Sequence, residues 1–219
     1  MFAAIVPNYD TINSLMTLGL DRRWRNRTVS MAEPGDGVVL DIATGTGELA
    51  FEMLRQGART VIGADFCVEM LNAARQKAAL SKTSSRLTLV AADAMRLPFA
   101  DNTFDCVVNG FMLRNVGNLR ETFLELCRVL KIGGRLICLD LTPPQGRWRR
   151  FFALYIATFV PLLGVLVAGN YGAYRYLFDS LSVHPDADQV AALMREAGFA
   201  DVSYKLTGVG TVALHRAIK

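Results

Sequence analysis

Histidine is nearly absent: the 219 residues hold only His184 and His215. Two imidazoles leave little scope for a histidine-based metal centre or a Ser-His-Asp triad. Cysteine is sparse and scattered, at Cys67, Cys106, Cys127 and Cys138, with no CxxC or CxH spacing. Neither a zinc site nor a disulfide framework is expected, and no metal. Charge is modest too, at 20% of residues against 52% hydrophobic ones, which excludes disorder and coiled coil. The 24 basic and 20 acidic residues leave a net +4, too mild to argue for nucleic acid, and no such partner is expected. There is no internal repeat and no low-complexity segment. Met1 to Asp10 lacks the charged n-region and long apolar h-region of a signal peptide, so a cytoplasmic location is expected.

What is present is an alternation of strands and helices. The length suits one α/β domain with a full core. The first thirty residues read as a helical cap of one or two amphipathic helices that end in the basic run Arg22, Arg23, Arg25 and Arg27. A turn cluster, Glu33 to Gly37, precedes a buried strand, Val38 to Ile42. A helix over Leu49 to Gln56, a strand over Thr60 to Ala64, a helix over Val68 to Leu80 and a strand over Leu87 to Ala91 follow. Phe104 to Val108 is a fourth strand, Leu119 to Leu130 a helix closed by Gly133 and Gly134, and Arg135 to Leu141 a fifth strand. A helix at Asp186 to Ala197 and strands near Val202 to Leu206 and Thr211 to Ile218 complete the chain. This predicts a doubly wound, Rossmann-like sheet of seven strands in a single domain, 1–219. Thr207 to Gly210 is too short for a helical crossover, so the last two strands form an antiparallel pair.

One segment interrupts the pattern. Phe151 to Ala168 reads FFALYIATFVPLLGVLVA, eighteen residues without a charge. As a helix it spans about 27 Å, slightly short of a ~30 Å hydrocarbon core. Pro161 and Gly164 kink it. A single span would also separate the last strands from their sheet. The reading adopted is an apolar insertion, about 145–182, that covers a substrate or faces a membrane. Its flank of Arg147, Trp148, Arg149 and Arg150 suits anionic headgroups.

The turn after the first strand reads Asp41-Ile42-Ala43-Thr44-Gly45-Thr46-Gly47-Glu48-Leu49-Ala50. Its glycines permit a sharp turn and close approach of a ligand, and the helix that follows offers unpaired amides. Asp65, at the end of the second strand, can accept from both hydroxyls of a ribose. So far a nicotinamide enzyme, a methyltransferase and a simple tight turn are equal readings. Three features shift the balance. Asp41 suits a cationic amino group and repels a pyrophosphate, though it also reads as a helix-dipole partner. Asp93, followed by Ala94, can accept from an adenine amino group, or simply form a turn. The antiparallel terminal pair is unusual in nicotinamide domains.

With these residues in place, the chain resembles a class I S-adenosylmethionine-dependent methyltransferase, and more closely the UbiE-type C-methyltransferases of menaquinone and ubiquinone biosynthesis. The resemblance rests on VPNYDTINSLMTLGLDRRWR from Val6, VLDIATGTGELA from Val39, ADFCVEML from Ala64, and DAMRLPFADNTFDCVVNGFMLRNV from Asp93 to Val116. LCRVLKIGGRLICLDLTPP from Leu126 and GVGTVALHRAIK from Gly208 extend it. The glycine loop and LPFADNTFD are general to methyltransferases, whereas YD-IN, LRNV and ALHR are more selective. Gly110 stands where family members often carry serine, Ile132 replaces the usual proline, and the N-terminus is shorter than in many relatives.

The resemblance implies S-adenosylmethionine as cofactor. It implies that Gly45, Thr46 and Gly47 hold the methionine part, that Asp65 holds the ribose, that Asp93 and Ala94 fix the adenine, that Phe66 joins the cofactor-binding set, and that Gly110 borders the cofactor. Asp41 is placed with this set in an amino-group or supporting role. The implied acceptor is the ring carbon of a prenylated hydroquinone, foremost demethylmenaquinol; a ubiquinone precursor or another prenylated or polyketide phenol is the alternative. Arg114 and Asn115 are expected to stabilise and orient the developing phenolate, and Tyr9 and Asp10 to close over the site. His184 is expected to cap a loop. The polyprenyl tail gives the apolar insertion a purpose and implies peripheral contact with the inner face of the membrane. Oligomeric state is open, a homodimer included. The readings from other classes are a nicotinamide oxidoreductase and a non-catalytic binding module.

Overall fold

The computed structural model describes residues 9–143 and 184–219, with Val6, Leu154 and Thr158 as isolated positions. The apolar insertion and its Arg-Trp flank therefore lie outside the described residues.

Two helices lead the chain, α1 (Tyr9–Met16) and α2 (Leu20–Ala32). The second does not stop at the basic run but continues through it, because Trp24, Thr28, Val29 and Ala32 share one buried face. Then come β1 (Val38–Ile42), α3 (Glu48–Arg55), β2 (Thr60–Asp65), α4 (Val68–Leu80), β3 (Leu87–Ala91) and β4 (Phe104–Gly110). A 3-10 turn at Leu113–Asn115 precedes α5 (Leu119–Val129), β5 (Leu130–Leu141), α6 (Ala187–Glu196), β6 (Ala200–Thr207) and β7 (Val212–Ile218). Asn118 starts α5 by accepting from the amides of Arg120 and Glu121, and Asp186 forms a capping box with Gln189 at the start of α6.

The strands form one seven-stranded sheet in the order β3-β2-β1-β4-β5-β7-β6. Pairs among β1 to β5 are parallel, while β7 runs antiparallel between β5 and β6. The expected terminal pair is thus present, inserted so that β7 and not β6 meets β5. The strand β5 starts earlier than expected, at Leu130. Leu130 pairs with Phe104, and residues 131–134 bulge out before Arg135 pairs with Cys106.

Strand alternation divides the core. Leu40, Ile42, Leu136 and Cys138 face a cluster with Phe123 and Leu126 of α5 and Met194 of α6. Val39, Val61, Val108 and Ile137 face the opposite cluster with Val29 of α2 and Met53 and Leu54 of α3. Two layers of helices on one sheet leave the carboxyl ends of the parallel strands free. Between β1 and β4 the strand order reverses, which opens a crevice at that edge.

Candidate active site

A cavity of about 320 Å³ occupies that crevice. Its wall takes Ile42, Ala43 and Gly45 from beyond β1, Asp65, Phe66 and Cys67 from the end of β2, and Asp93, Ala94 and Met95 from beyond β3. Gly110, Phe111, Met112 and Asn115 follow β4, and Tyr9 comes from α1. The described wall contains two carboxylates and no lysine, arginine or histidine. A pyrophosphate would find no cation there, whereas a positively charged ligand finds a matching field.

Asp65 is the organiser. One carboxylate oxygen accepts from the Gly45 amide and the other from the Cys67 amide, each at 2.8 Å. An ionised carboxylate has about four acceptor sites, so a ribose diol can still be bound. Burial raises the Asp65 pKa despite these bonds. Asp93 accepts from the Met95 amide at 2.9 Å through one oxygen, which makes the turn that points Ala94 and Met95 at the cavity.

The backbone around the crevice is bent at two non-glycine residues in the left-handed region, Ala43 (φ 55°) and Phe111 (φ 59°). Bonds from the flanking strands hold both bends: Thr44 N–H donates to Ala64 and Phe111 N–H to Leu139. Gly47 caps α3 at φ 90°, and a Cβ there would lie 2.8 Å from the Phe51 ring. At Gly110 a Cβ would lie 2.8 Å from Leu49 Cδ1. The helix α3 thus packs too closely on β4 for a side chain.

Several expected ligand residues are placed behind the wall. Asp41 falls on the α3 face of β1 by alternation, is fully buried, and does not line the cavity. Its Oδ2 accepts from the Thr44 hydroxyl at 2.7 Å and the Ala50 amide at 3.0 Å. It braces the glycine loop and the first turn of α3, the helix-dipole reading and not direct amino-group contact. Burial lifts its pKa from 3.8 to about 7. Thr46 and Gly47 also stand off the wall. The Thr46 hydroxyl donates to Asp10 at 2.6 Å, and Lys77 bridges Asp10 and Glu48 at 2.6 and 2.8 Å. Asp10 therefore ties α1 to the glycine loop and is not in position to close over the cavity; Tyr9 alone of that pair reaches the wall.

The LRN turn is divided in the same way. Asn115 lines the cavity, donates to the Phe111 carbonyl at 2.9 Å, and leaves its Oδ1 buried without a partner. Arg114 does not line this cavity. Its Nη1 donates to the Phe111 carbonyl at 3.0 Å and to Asp140 Oδ1 at 2.8 Å, and its buried Nε has no partner. Asp140, at the carboxyl end of β5, also accepts from the Leu113 amide at 2.6 Å and the Leu141 amide at 2.8 Å. It thereby anchors the start of the turn that presents Asn115 through the Leu113 amide and its middle through Arg114. His184 is buried beside this pair; burial lowers its pKa, opposed by the Asp140 charge.

The family model for the ubiE/COQ5 methyltransferase family matches residues 1–219. The chain is 41% identical over 222 residues to a demethylmenaquinone methyltransferase of Roseiflexus castenholzii, covering all of this chain and 92% of that protein. It is 43% identical over 222 residues to the ubiquinone/menaquinone biosynthesis C-methyltransferase UbiE of Desulfotalea psychrophila, covering all of this chain and 89% of the other.

The chain belongs to the ubiE/COQ5 methyltransferase family.

Solved structures agree on the fold. A putative S-adenosyl-L-methionine-dependent methyltransferase from Methanococcus maripaludis superposes with a TM-score of 0.72 at 17% identity, over 100% of this chain and 94% of that one. The phosphoethanolamine N-methyltransferase 2 of Haemonchus contortus, in complex with S-adenosyl-L-methionine, gives 0.65 at 16% identity, over 93% and 57%. The cofactor of this family fits the wall described above. Asp65 and Asp93 offer acceptors for hydroxyl and amino groups, and the wall carries no cation to repel a sulfonium.

Reading the sequence missed Asp140, Lys77, Phe111 and the methionines of the wall. Asp140 had a visible signal, a carboxylate at the end of the fifth strand in the position that Asp41 has in the first. The Lys77 bridge had none, because 67 residues separate it from Asp10.

Proposed function

We propose that this chain methylates a ring carbon of a prenylated hydroquinone, foremost demethylmenaquinol, with S-adenosylmethionine as donor. The observation that carries the reading is a cavity whose described wall holds two carboxylates, no cation, and Asn115 of the LRN turn. When bound, the cofactor supplies an electrophilic methyl group on a sulfonium. Asp65 accepts from the ribose hydroxyls while the Gly45 and Cys67 amides hold it still. The second oxygen of Asp93 accepts from the adenine amino group.

The acceptor needs an ionised hydroxyl, since a neutral phenol, with pKa ~10, makes a poor carbon nucleophile. Asn115 Oδ1 accepts from the quinol's other, still protonated hydroxyl and orients the ring. Arg114, behind the wall and paired with Asp140, contributes positive charge that favours the phenolate from a distance. The hydroxyl proton leaves to solvent, a carbon–carbon bond forms as the donor's carbon–sulfur bond breaks, and loss of the ring proton restores the aromatic system. The work of the protein is alignment and charge placement. The acceptor's polyprenyl tail remains in lipid, which makes membrane contact peripheral. Among the described residues no helix is long and apolar enough to cross a bilayer.

The test is incubation with methyl-labelled S-adenosylmethionine and a panel of demethylated naphthoquinols and benzoquinols, reduced and oxidised. Label on the ring carbon of reduced acceptors is expected. Full activity in Arg114→Ala, with normal cofactor affinity, would overturn the role given to that side chain.

A further inference from the structure

Two bulky apolar residues project from the described surface on strained backbone. Leu18, between α1 and α2, is 82% exposed at φ 52°, and Val209, between β6 and β7, is 76% exposed at φ 58°. The left-handed region disfavours any branched side chain, and for a β-branched one it is an outlier. Both sit in connections that have no need of an apolar residue.

The first connection leads into α2, which begins two residues after Leu18, and the second rests against the same helix. A Cβ on Gly208 would lie 3.1 Å from the Trp24 ring, so the β6–β7 turn rests on that side chain. Leu20, 37% exposed, lies one helical turn before Trp24 on the same face of α2. Arg23 and Arg27 flank this face, since residues three and four apart are neighbours on a helix. Both are exposed, and neither has an ion pair or hydrogen bond among the described residues. The acid nearest in sequence, Asp21, is already engaged by Arg25 and Thr17.

Topology puts this corner at the edge of the sheet that holds the cavity. Val212 pairs with Leu141 at the carboxyl end of β5, so the β6–β7 turn lies at that edge. Trp24 and Val212 share a small apolar cluster against which Phe111, a cavity residue, packs.

We propose that this corner is a membrane-docking surface for an anionic bilayer, with Leu18, Leu20 and Val209 entering the headgroup boundary and Arg23 and Arg27 meeting the phosphates. Separate apolar prongs flanked by unpaired cations suit a fluid, negatively charged interface. It deepens the peripheral contact proposed above but uses other residues, and it needs neither quinol nor cofactor for its test.

The test is cosedimentation of the full chain with phosphatidylcholine vesicles, with and without phosphatidylglycerol, at low and high salt. Wild type is expected to partition onto the anionic vesicles and to lose much of that binding in high salt. L18N/V209N places asparagine where the left-handed backbone accepts it, so melting temperature and S-adenosylmethionine affinity should hold. Its partitioning should fall about tenfold or more. R23Q/R27Q should weaken binding about fivefold for each charge removed. Wild type that ignores anionic vesicles would overturn the proposal, as would wild-type partitioning by L18N/V209N. So would a self-association that L18N/V209N abolishes while vesicle binding is unchanged. Loss of methyl transfer with intact vesicle binding would instead count against the acceptor reading alone.

Discussion

Asp41→Asn is the substitution whose effect can be worked out most fully. Asp41 is completely buried, with two donors on Oδ2 and none on Oδ1. Desolvation is the largest influence, and it lifts the pKa from 3.8 to about 7 against the Thr44 and Ala50 bonds. The sign follows from linkage. Between those two values the folded chain holds a proton that the unfolded chain has released, so stability falls as pH rises and levels off above about 7. Three pH units at ~1.4 kcal/mol each give an upper bound of about 4 kcal/mol. Other groups titrate in this window: burial raises Asp65, and burial lowers His184 and His215. The readout is therefore the difference between wild type and Asp41→Asn. Asparagine keeps an acceptor for Thr44 and Ala50 but carries no charge. Urea unfolding at about pH 5 and about pH 8 should show Asp41→Asn gaining up to ~3 kcal/mol relative to wild type, since about two units of the window lie in that interval. Parallel stability curves would show that Asp41 is ionised in the fold throughout, and the buried-strut account would be wrong.

Three further outcomes are expected. Gly110→Ser forces Leu49 to move and should cost about 1–3 kcal/mol, as overpacking does; Leu49→Ala should recover much of it in a double-mutant cycle by thermal melting. Thr46→Val removes the hydroxyl bond to Asp10, so amide exchange in α1 should quicken while global stability drops by only about 1 kcal/mol. Asp140→Asn should leave S-adenosylmethionine affinity intact but lower kcat about a hundredfold or more, because Arg114 and the Leu113 amide lose their common anchor; a change confined to KM would argue against it.

Much of this fold was written in the sequence because its signals are local. Alternating apolar strands, a glycine turn and capped helices mark their own boundaries, and Thr207 to Gly210 can join only antiparallel neighbours. The ends were less legible. The β5 start at Leu130 depends on pairing with Phe104, a contact made by the sheet and not by the loop. At the site, residue types were readable but their directions were not. Asp65, Asp93 and Asn115 face the cavity, whereas Asp41, Thr46, Asp10 and Arg114 turn to partners that only the folded chain brings near. Asp10 lies 36 residues from Thr46 and 67 from Lys77, and Asp140 lies 26 from Arg114. No spacing rule in the chain announces such pairs.

Calorimetric titration of the purified chain with S-adenosylmethionine, set beside NAD, tests the central claim most directly. Saturable binding of the sulfonium donor, lost in Asp65→Ala, with no heat from NAD, is the expected result. Heat from NAD and none from S-adenosylmethionine would contradict the reading of a cation-free, carboxylate-lined cavity as a donor site.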